Sequence, residues 1–304
     1  MTDKKFPVIE TGQGDLGNHI VGRKPAIDAQ LGEAGAILFR GFDVSDPHAF
    51  DAAVAAYGEA NFPYAESLSN AVRVNVTERV FTANEAPPDT SIYLHHEMAQ
   101  TPVYPSKLFF YCEIAPGGGG ATPLCRSDLL LERLEAVQPG LVEAFASKGV
   151  RYTNVMPGDD DAGSGQGRSW RSTLSADTRD EAETRLQALG YDWEWRDDNS
   201  LRATTPVLDA VRTLPDGRRT FFNQLIAAFR GWSDSRNDPS KSIAFGDGTP
   251  IAGDQMADAI ALSDELTYDL AWQAGDVALV DNFLVMHGRR PFTGKRRVLA
   301  SLIT

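Results

Sequence analysis

Residues 275–304 read GDVALVDNFLVMHGRRPFTGKRRVLASLIT, and this stretch predicts three β segments in succession. Each segment is short and rich in Val, Leu or Ile, and polar or turn-forming residues separate it from the next. The stretches AILFRG (36–41) and KLFFYCEIA (107–115) have the same character nearer the start of the chain. Many short strands bounded by turn signals indicate a β sandwich.

Helical segments interrupt the strands. The pair Asp46-Pro47 combines an N-cap residue with proline at the first helical position, so it predicts that a helix follows. Helical patterns are also present in PAIDAQLGEAG (25–35), SDLLLERLEAVQPGLVEAFASKG (127–149), DEAETRLQALGY (180–191) and ADAIALSDELTYDLAW (257–272). No shift in composition marks a border, so we predict a mainly β fold with inserted helices in a single domain over 1–304.

Composition narrows the classes of function. The chain has 304 residues and a formal net charge of −13, which argues against nucleic acid as a partner because phosphate binding needs a basic face. No run of about 18 apolar residues predicts a membrane span, and the N-terminus lacks the apolar stretch of a signal peptide. Two cysteines, Cys112 and Cys125, do not make a disulfide framework. We therefore expect a cytoplasmic protein, and the sequence is compatible with a homo-oligomer.

The residues Leu94-His95-His96-Glu97 carry the most informative local pattern. Side chains at positions i and i+2 of a strand point to the same face, so His95 and Glu97 can reach one metal ion while His96 points away. Of the other histidines, His287 stands at the end of a predicted strand. Two histidines and one carboxylate form a facial triad for Fe(II), which leaves three coordination positions open. The H-x-E spacing is by itself a weak signal.

A wider comparison of motifs adds specificity. The stretches TSIYLHHEMAQ, PGGGGATPL and GDVALVDNFLVMHGRRPFTGKRRVL together resemble the taurine dioxygenase/clavaminate synthase-like superfamily, also called TauD/TfdA, and in particular its SyrP-like members. The resemblance runs from about Gly35 to the end of the chain. It implies a double-stranded β-helix (jelly-roll) core with inserted helical segments. It also implies a non-haem dioxygenase with Fe(II) as cofactor and 2-oxoglutarate and O₂ as co-substrates.

The resemblance also assigns roles to individual residues. His95, Glu97 and His287 match the iron ligands, while Thr122 and Arg297 match the residues that bind the distal carboxylate of 2-oxoglutarate. A planar guanidinium and a hydroxyl suit a carboxylate physically. Arg296 is the rival of Arg297, because strand alternation places the two arginines on opposite faces and neither face is clearly polar.

The implied reaction is hydroxylation of an unactivated C–H bond of a small molecule, with release of succinate and CO₂. SyrP-like members act mostly on amino acids, free or tethered to a carrier protein, so an amino-acid-like substrate is the first expectation. Sulfonate-handling members carry an arginine where this chain has Ser301. Candidate substrate contacts are Arg73, Glu85, Arg168 and Asn223.

Two alternatives stay open at the level of the sequence. One keeps the same chemistry, as hydroxylation, desaturation or cyclisation, on a carboxylate that is not an amino acid or on another small metabolite. The other is a redox-inactive module that binds a metal or a ligand.

Overall fold

The structure is a computed structural model that describes residues 6–62, 68–69, 73–83, 86–161, 167–231 and 242–304. Its strands are β1 Val8–Thr11, β2 Ala36–Arg40, β3 Phe81–Thr82, β4 Ile92–His95, β5 Lys107–Ile114, β6 Gly118–Gly119, β7 Thr122–Arg126, β8 Val150–Met156, β9 Asp192–Trp195, β10 Leu201–Thr204, β11 Arg212–Thr213, β12 Arg219–Thr220, β13 Ile243–Phe245, β14 Tyr268–Leu270, β15 Val277–Asp281, β16 Val285–Arg289, β17 Phe292–Thr293 and β18 Arg297–Ile303. Its α-helices are α1 Leu16–Ala34, α2 Pro47–Tyr57, α3 Ser127–Val137, α4 Pro139–Lys148, α5 Trp170–Leu174, α6 Arg179–Ala188, α7 Leu225–Gly231 and α8 Ala257–Glu265.

Two sheets face each other and form the core. One has the strand order β1-β2-β15-β5-β18-β3, and the other has the order β14-β7-β16-β4. Buried side chains of both sheets form one cluster, which includes Phe110 and Val298 from the first sheet and Leu124 and Val285 from the second. Such burial of apolar faces between sheets is the main stabilising contribution in a β sandwich. The predicted jelly-roll core with inserted helices is confirmed.

Helices and a third sheet cover the outer faces. Helices α1 and α2 pack on the outside of the six-stranded sheet. Between β7 and β14 the chain forms the sheet β13-β8-β10-β9 together with helices α3 to α8. This insertion packs against the outside of the four-stranded sheet, where it covers sheet residues such as Cys125 and Met286. The inner faces of the two core sheets therefore remain available for a site.

Several sequence expectations are confirmed, and three differ from the structure. Asp46 caps α2 by accepting hydrogen bonds from the backbone of His48 and Ala49, as predicted.

The pattern over 127–149 forms two helices, because the chain breaks at Gln138, before Pro139. Helix α8 ends at 265, and residues 268–270 pair with β7 as a strand. Helix α1 begins nine residues before the predicted start at 25, with Asp15 as its N-cap. In the described part of the chain, no helix is long and apolar enough to cross a membrane.

Candidate metal centre

The structure brings the three predicted metal ligands together. His95 ends β4, Glu97 lies in the turn that follows, and His287 lies in β16. Strands β4 and β16 run antiparallel with His95 opposite His287, and the centroids of the two imidazole rings are 4.4 Å apart. Glu97 Oε2 is 3.4 Å from His287 Nε2. One ligand atom from each residue lies within 4.8 Å of the other two.

The protonation of His95 suits a metal ligand. Its Nδ1 donates a hydrogen bond to the carbonyl oxygen of Tyr93 at 2.7 Å, and a carbonyl can only accept. The Nε2 lone pair therefore points outward as the ligand atom, an arrangement that is usual for metal-binding histidines. Burial, together with the nearby His287, lowers the pKa of His95 to about 4, so the ring is neutral at neutral pH.

Glu97 is held as an anion. Burial by itself would raise the pKa of this carboxyl group, but the guanidinium of Arg73, 2.9 Å from Glu97 Oε1, and the two histidines hold the pKa well below its usual range. The site thus offers two imidazole nitrogens, of which that of His95 is neutral, and one anionic oxygen. This donor set is the one that non-haem Fe(II) enzymes use, so the residues present fit an Fe(II) ion.

The backbone of Glu97 is fixed by a residue from the far end of the chain. Asn282 Oδ1 accepts a hydrogen bond from the Glu97 N–H at 2.7 Å, and Asn282 Nδ2 donates to the Glu97 carbonyl at 3.0 Å. The same Nδ2 also donates to the carbonyl of Pro105 at 2.8 Å. Because Asn282 is fully buried, the turn that carries Glu97 is anchored to the loop between β15 and β16.

His96 points away from the triad, as predicted, although β4 ends at His95 and strand alternation is therefore not the cause. Its ring is fully buried and packs against Phe222, with the centroids 4.9 Å apart. Its Nδ1 donates to the carbonyl of Asn282. Burial lowers the pKa of His96 to about 3, so the residue is a neutral part of the protein interior.

Thr122 lies on the strand beside the one that carries His287. It begins β7, and its side chain is buried. Thr122 Oγ1 accepts a hydrogen bond from Trp272 Nε1 at 2.9 Å. An indole nitrogen can only donate, so the hydroxyl proton of Thr122 points elsewhere and can be given to a bound ligand.

The structure does not bring Arg297 to the triad. The Arg297 side chain is 43% exposed and forms an ion pair with Glu113. The pairing of β18 with β5 shifts between Arg297 and Val298. Beyond this shift Ala300 stands opposite Phe110, and the Phe110 ring packs on His287 at 5.2 Å.

Arg296 has the opposite environment. Its Nε donates to the carbonyl of Gly120 at 3.0 Å, two residues before Thr122. Burial and the nearby Arg289 lower the pKa of Arg296 to about 10. Among the described residues, no carboxylate forms an ion pair with Arg296. The geometry therefore favours Arg296 over the predicted Arg297 as the arginine near the site, because alternation on β18 turns the even-numbered side chains inward.

The expected substrate contacts have different outcomes. Arg73 lies at the triad, as described above. Arg168 is bonded to Ser69 and Ser172, and the Asn223 amide is bonded to backbone atoms of its own region, so both support the structure. Glu85 lies outside the described residues. The departure at Ser301 holds for either arginine, because the residue four positions after Arg296 is Ala300.

Two residues near the site are not predicted from the sequence, and a third is predicted in a different role. Asn282 and Trp272 contact Glu97 and Thr122 across 185 and 150 residues of sequence, and no local spacing announces such contacts. Arg73 was considered only as a substrate contact.

Comparisons with known proteins show the family and the fold. Residues 12–302 match the family model described as "Taurine catabolism dioxygenase TauD, TfdA family". A clavaminate synthase-like protein of Arabidopsis thaliana is 43% identical over 92% of this chain and 84% of its own length. The dapdiamide synthesis protein DdaC of Enterobacter agglomerans is 31% identical over 91% of this chain and 84% of its own. The crystal structure of AAD-2 in complex with Mn(II) and N-oxalylglycine has a similar fold, with a TM-score of 0.52, 14% identity and coverage of 96% and 93%.

Proposed function

Because the chain belongs to the TauD, TfdA dioxygenase family, we propose that it hydroxylates an unactivated C–H bond of an amino acid or of an amino-acid-derived small molecule. The protein is a non-haem dioxygenase that uses Fe(II), 2-oxoglutarate and O₂. Bound iron supplies the activation of O₂. In the balanced reaction, one oxygen atom of O₂ enters the substrate as a hydroxyl group and the other enters succinate, while the C1 carboxylate of 2-oxoglutarate leaves as CO₂.

The observation that carries the proposal is the convergence of two imidazoles and one charged carboxylate inside the jelly roll. His95, Glu97 and His287 would hold the iron, and each would supply one atom. The hydrogen bond from His95 to Tyr93 and the clamp of Asn282 on Glu97 hold two of these ligands before the metal arrives. Such preorganisation lowers the cost of assembling the site.

We assign the distal carboxylate of 2-oxoglutarate to Arg296 and Thr122. A half-buried guanidinium that forms no ion pair with a carboxylate among the described residues is costly, and a bound carboxylate would compensate it. Thr122 adds a hydroxyl donor, and Trp272 orients that hydroxyl. Arg296 contacts the segment 120–122 and Thr122 belongs to it, so both can bind the same carboxylate.

One observation supports the amino-acid class of substrate, and a second argues against a sulfonate. The relative from Enterobacter agglomerans takes part in the synthesis of dapdiamide, an amino-acid-derived product. Neither Ala300 nor Ser301 supplies the cation with which sulfonate-handling members bind their substrate. A carrier-tethered substrate, a homo-oligomer and a cytoplasmic location remain predictions.

The test is an assay for substrate-dependent turnover. Metal-free protein is loaded with Fe(II) and 2-oxoglutarate and incubated with a panel of free amino acids, aminoacyl carrier proteins and other carboxylates. Succinate release is measured for each, and mass spectrometry searches for products that gain one oxygen atom or lose two hydrogens. Turnover only on carboxylates without an amino group would exclude the amino-acid class.

Ligand variants control this assay. Loss of an outer partner of a metal ligand typically lowers activity by up to roughly 100-fold. Loss of a ligand itself should lower turnover by more than this, so His95→Ala and Glu97→Ala should both be inactive. His19→Ala is the matched control, because His19 bonds Glu10 on the far side of the six-stranded sheet. Unchanged succinate release by Glu97→Ala would exclude this metal site.

A further inference from the structure

The two oxygen atoms of Glu97 have different neighbours. Oε1 accepts a hydrogen bond from Arg73 Nη2 at 2.9 Å, while Oε2 faces His287 Nε2 at 3.4 Å. The Arg73 and Glu97 side chains are only 8% and 4% exposed. The ion pair is therefore buried, and the carboxylate turns one oxygen to the histidines and the other to the guanidinium.

Arg73 is itself supported by the core. Its guanidinium lies 5.3 Å from the ring centroid of Phe81, a favourable arrangement for a cation over an aromatic ring. Phe81 pairs with Ala300 in the six-stranded sheet. The cation is thus backed by a rigid element, and it can hold Glu97 Oε1 in one place.

This contact matters for the number of open positions on a metal. An octahedral ion that is bound by two histidines and one carboxylate oxygen keeps three positions open. A chelating co-substrate needs two of these and O₂ needs the third. If both oxygens of Glu97 bound the metal, only two positions would remain and the reaction could not assemble.

We propose that Arg73 is a positioning residue that restricts Glu97 to a single bond with the metal. Arg73 does so by holding Oε1 in a charge-assisted hydrogen bond, which leaves only Oε2 for coordination. A glutamate needs this restraint more than an aspartate does, because its extra methylene adds one rotatable bond. The inference rests on metal binding by the triad, as proposed above.

The first experiment separates metal affinity from co-substrate affinity. Metal-free wild-type and Arg73→Met proteins are titrated without O₂, first with Fe(II) and then with 2-oxoglutarate. Binding of 2-oxoglutarate is measured by the visible absorption band of its chelate with the metal. Removing a cation beside the site and freeing a second oxygen should leave the Fe(II) affinity equal or higher. The affinity for 2-oxoglutarate should fall at least about tenfold, which corresponds to about 1.4 kcal/mol, because the second carboxylate oxygen competes for its position.

The second experiment observes the carboxylate directly. Infrared difference spectra of Zn(II) binding report the separation of the two carboxylate stretching bands, which is wide for one bound oxygen and narrow for two. Glu97→Gln identifies the bands by their loss. We expect a wide separation in the wild type and a narrow one in Arg73→Met.

Arg79→Gln is the matched control. Arg79 lies in the same segment and pairs with Asp51 at 3.0 Å, away from the triad, so this variant should match the wild type in both experiments. Arg73→Lys keeps the charge without the planar fork, so it should show part of both changes and serves if Arg73→Met does not fold.

Three outcomes would overturn the inference. They are a wide band separation in the Arg73 variants, an unchanged affinity for 2-oxoglutarate, or a loss of Fe(II) affinity equal to the loss of 2-oxoglutarate affinity. A wild-type protein that binds no metal would instead contradict the proposed function, so the two failures are distinguishable.

Discussion

Asn282 and Glu97 exchange two hydrogen bonds across 185 residues of sequence, from the side chain of one to the backbone of the other. The amide of Asn282 acts like the backbone of an additional strand, because it pairs with both the N–H and the C=O of one residue. The residue that carries the proposed ligand carboxylate is thereby tied to the loop between β15 and β16. That loop leads directly into the strand of His287, so one connection positions two of the three proposed ligands.

Replacing Asn282 with aspartate should weaken this connection. The variant Asn282→Asp keeps the shape and an acceptor for the Glu97 N–H, but it loses the donor that serves the carbonyls of Glu97 and Pro105. Leaving buried acceptors unpaired costs about 1–3 kcal/mol each. We expect the free energy of unfolding, measured by urea denaturation of the metal-free protein, to fall by about 2–6 kcal/mol.

An exposed asparagine provides the control for this experiment. Asn18 lies at the start of α1 with an exposed side chain, so Asn18→Asp should change stability by less than about 0.5 kcal/mol. Equal stability of Asn282→Asp and the wild type would show that the clamp does not stabilise the fold.

Trp272 should affect 2-oxoglutarate only through Thr122. The variant Trp272→Phe removes the indole N–H that Thr122 Oγ1 accepts, and Thr122→Val removes the hydroxyl. Each should raise the KM for 2-oxoglutarate by roughly 2- to 10-fold, the value of one hydrogen bond. A double-mutant cycle should show that the two effects are not additive. Full additivity would mean that Trp272 does not orient the hydroxyl.

The H-x-E spacing and the resemblance could predict that His95, Glu97 and His287 converge, although the strand geometry assumed for the spacing holds only at His95. The structure adds that only His95 belongs to the strand and that Glu97 lies in the turn after it. The core strands were predictable for a similar reason, since short apolar runs with turn signals need no knowledge of their partners. The break before Pro139 shows a limit of prediction from helical spacing. Apolar residues keep that spacing on both sides of the break, so the pattern does not reveal that there are two helices.

The choice between Arg296 and Arg297 could not be made from the sequence. Alternation shows that the two side chains point in opposite directions, but it does not show which direction faces the core. That choice depends on the pairing of β18 with β5 and on the register shift at Arg297. The partner strand is about 190 residues away in the sequence, and the pattern of RRVLASLIT contains no trace of it.

The two arginines should differ sharply in their effect on co-substrate binding. Arg296→Gln removes an inward-facing cation, and hydrogen bonds to charged groups contribute about 1.5–3 kcal/mol. We therefore expect the KM for 2-oxoglutarate to rise by roughly 10- to 100-fold with less change in kcat. Arg297→Gln removes only the surface pair with Glu113 and should stay within about twofold of the wild type. The opposite ranking would restore Arg297 as the carboxylate ligand.

The buried histidines should make the metal-free protein sensitive to mild acid. Burial lowers the pKa of His95 to about 4 and that of His96 to about 3, both from 6.5. Below pH 6.5 the unfolded chain therefore takes up protons that the folded chain does not, so stability is complete above this pH and falls as the pH falls. Each histidine contributes a slope of at most about 1.4 kcal/mol per pH unit. Between pH 6.5 and about 5, where few carboxylates titrate, His96→Gln should remove half of the slope that the two histidines cause in urea denaturation. Equal slopes in the variant and the wild type would show that His96 accepts a proton in the folded state.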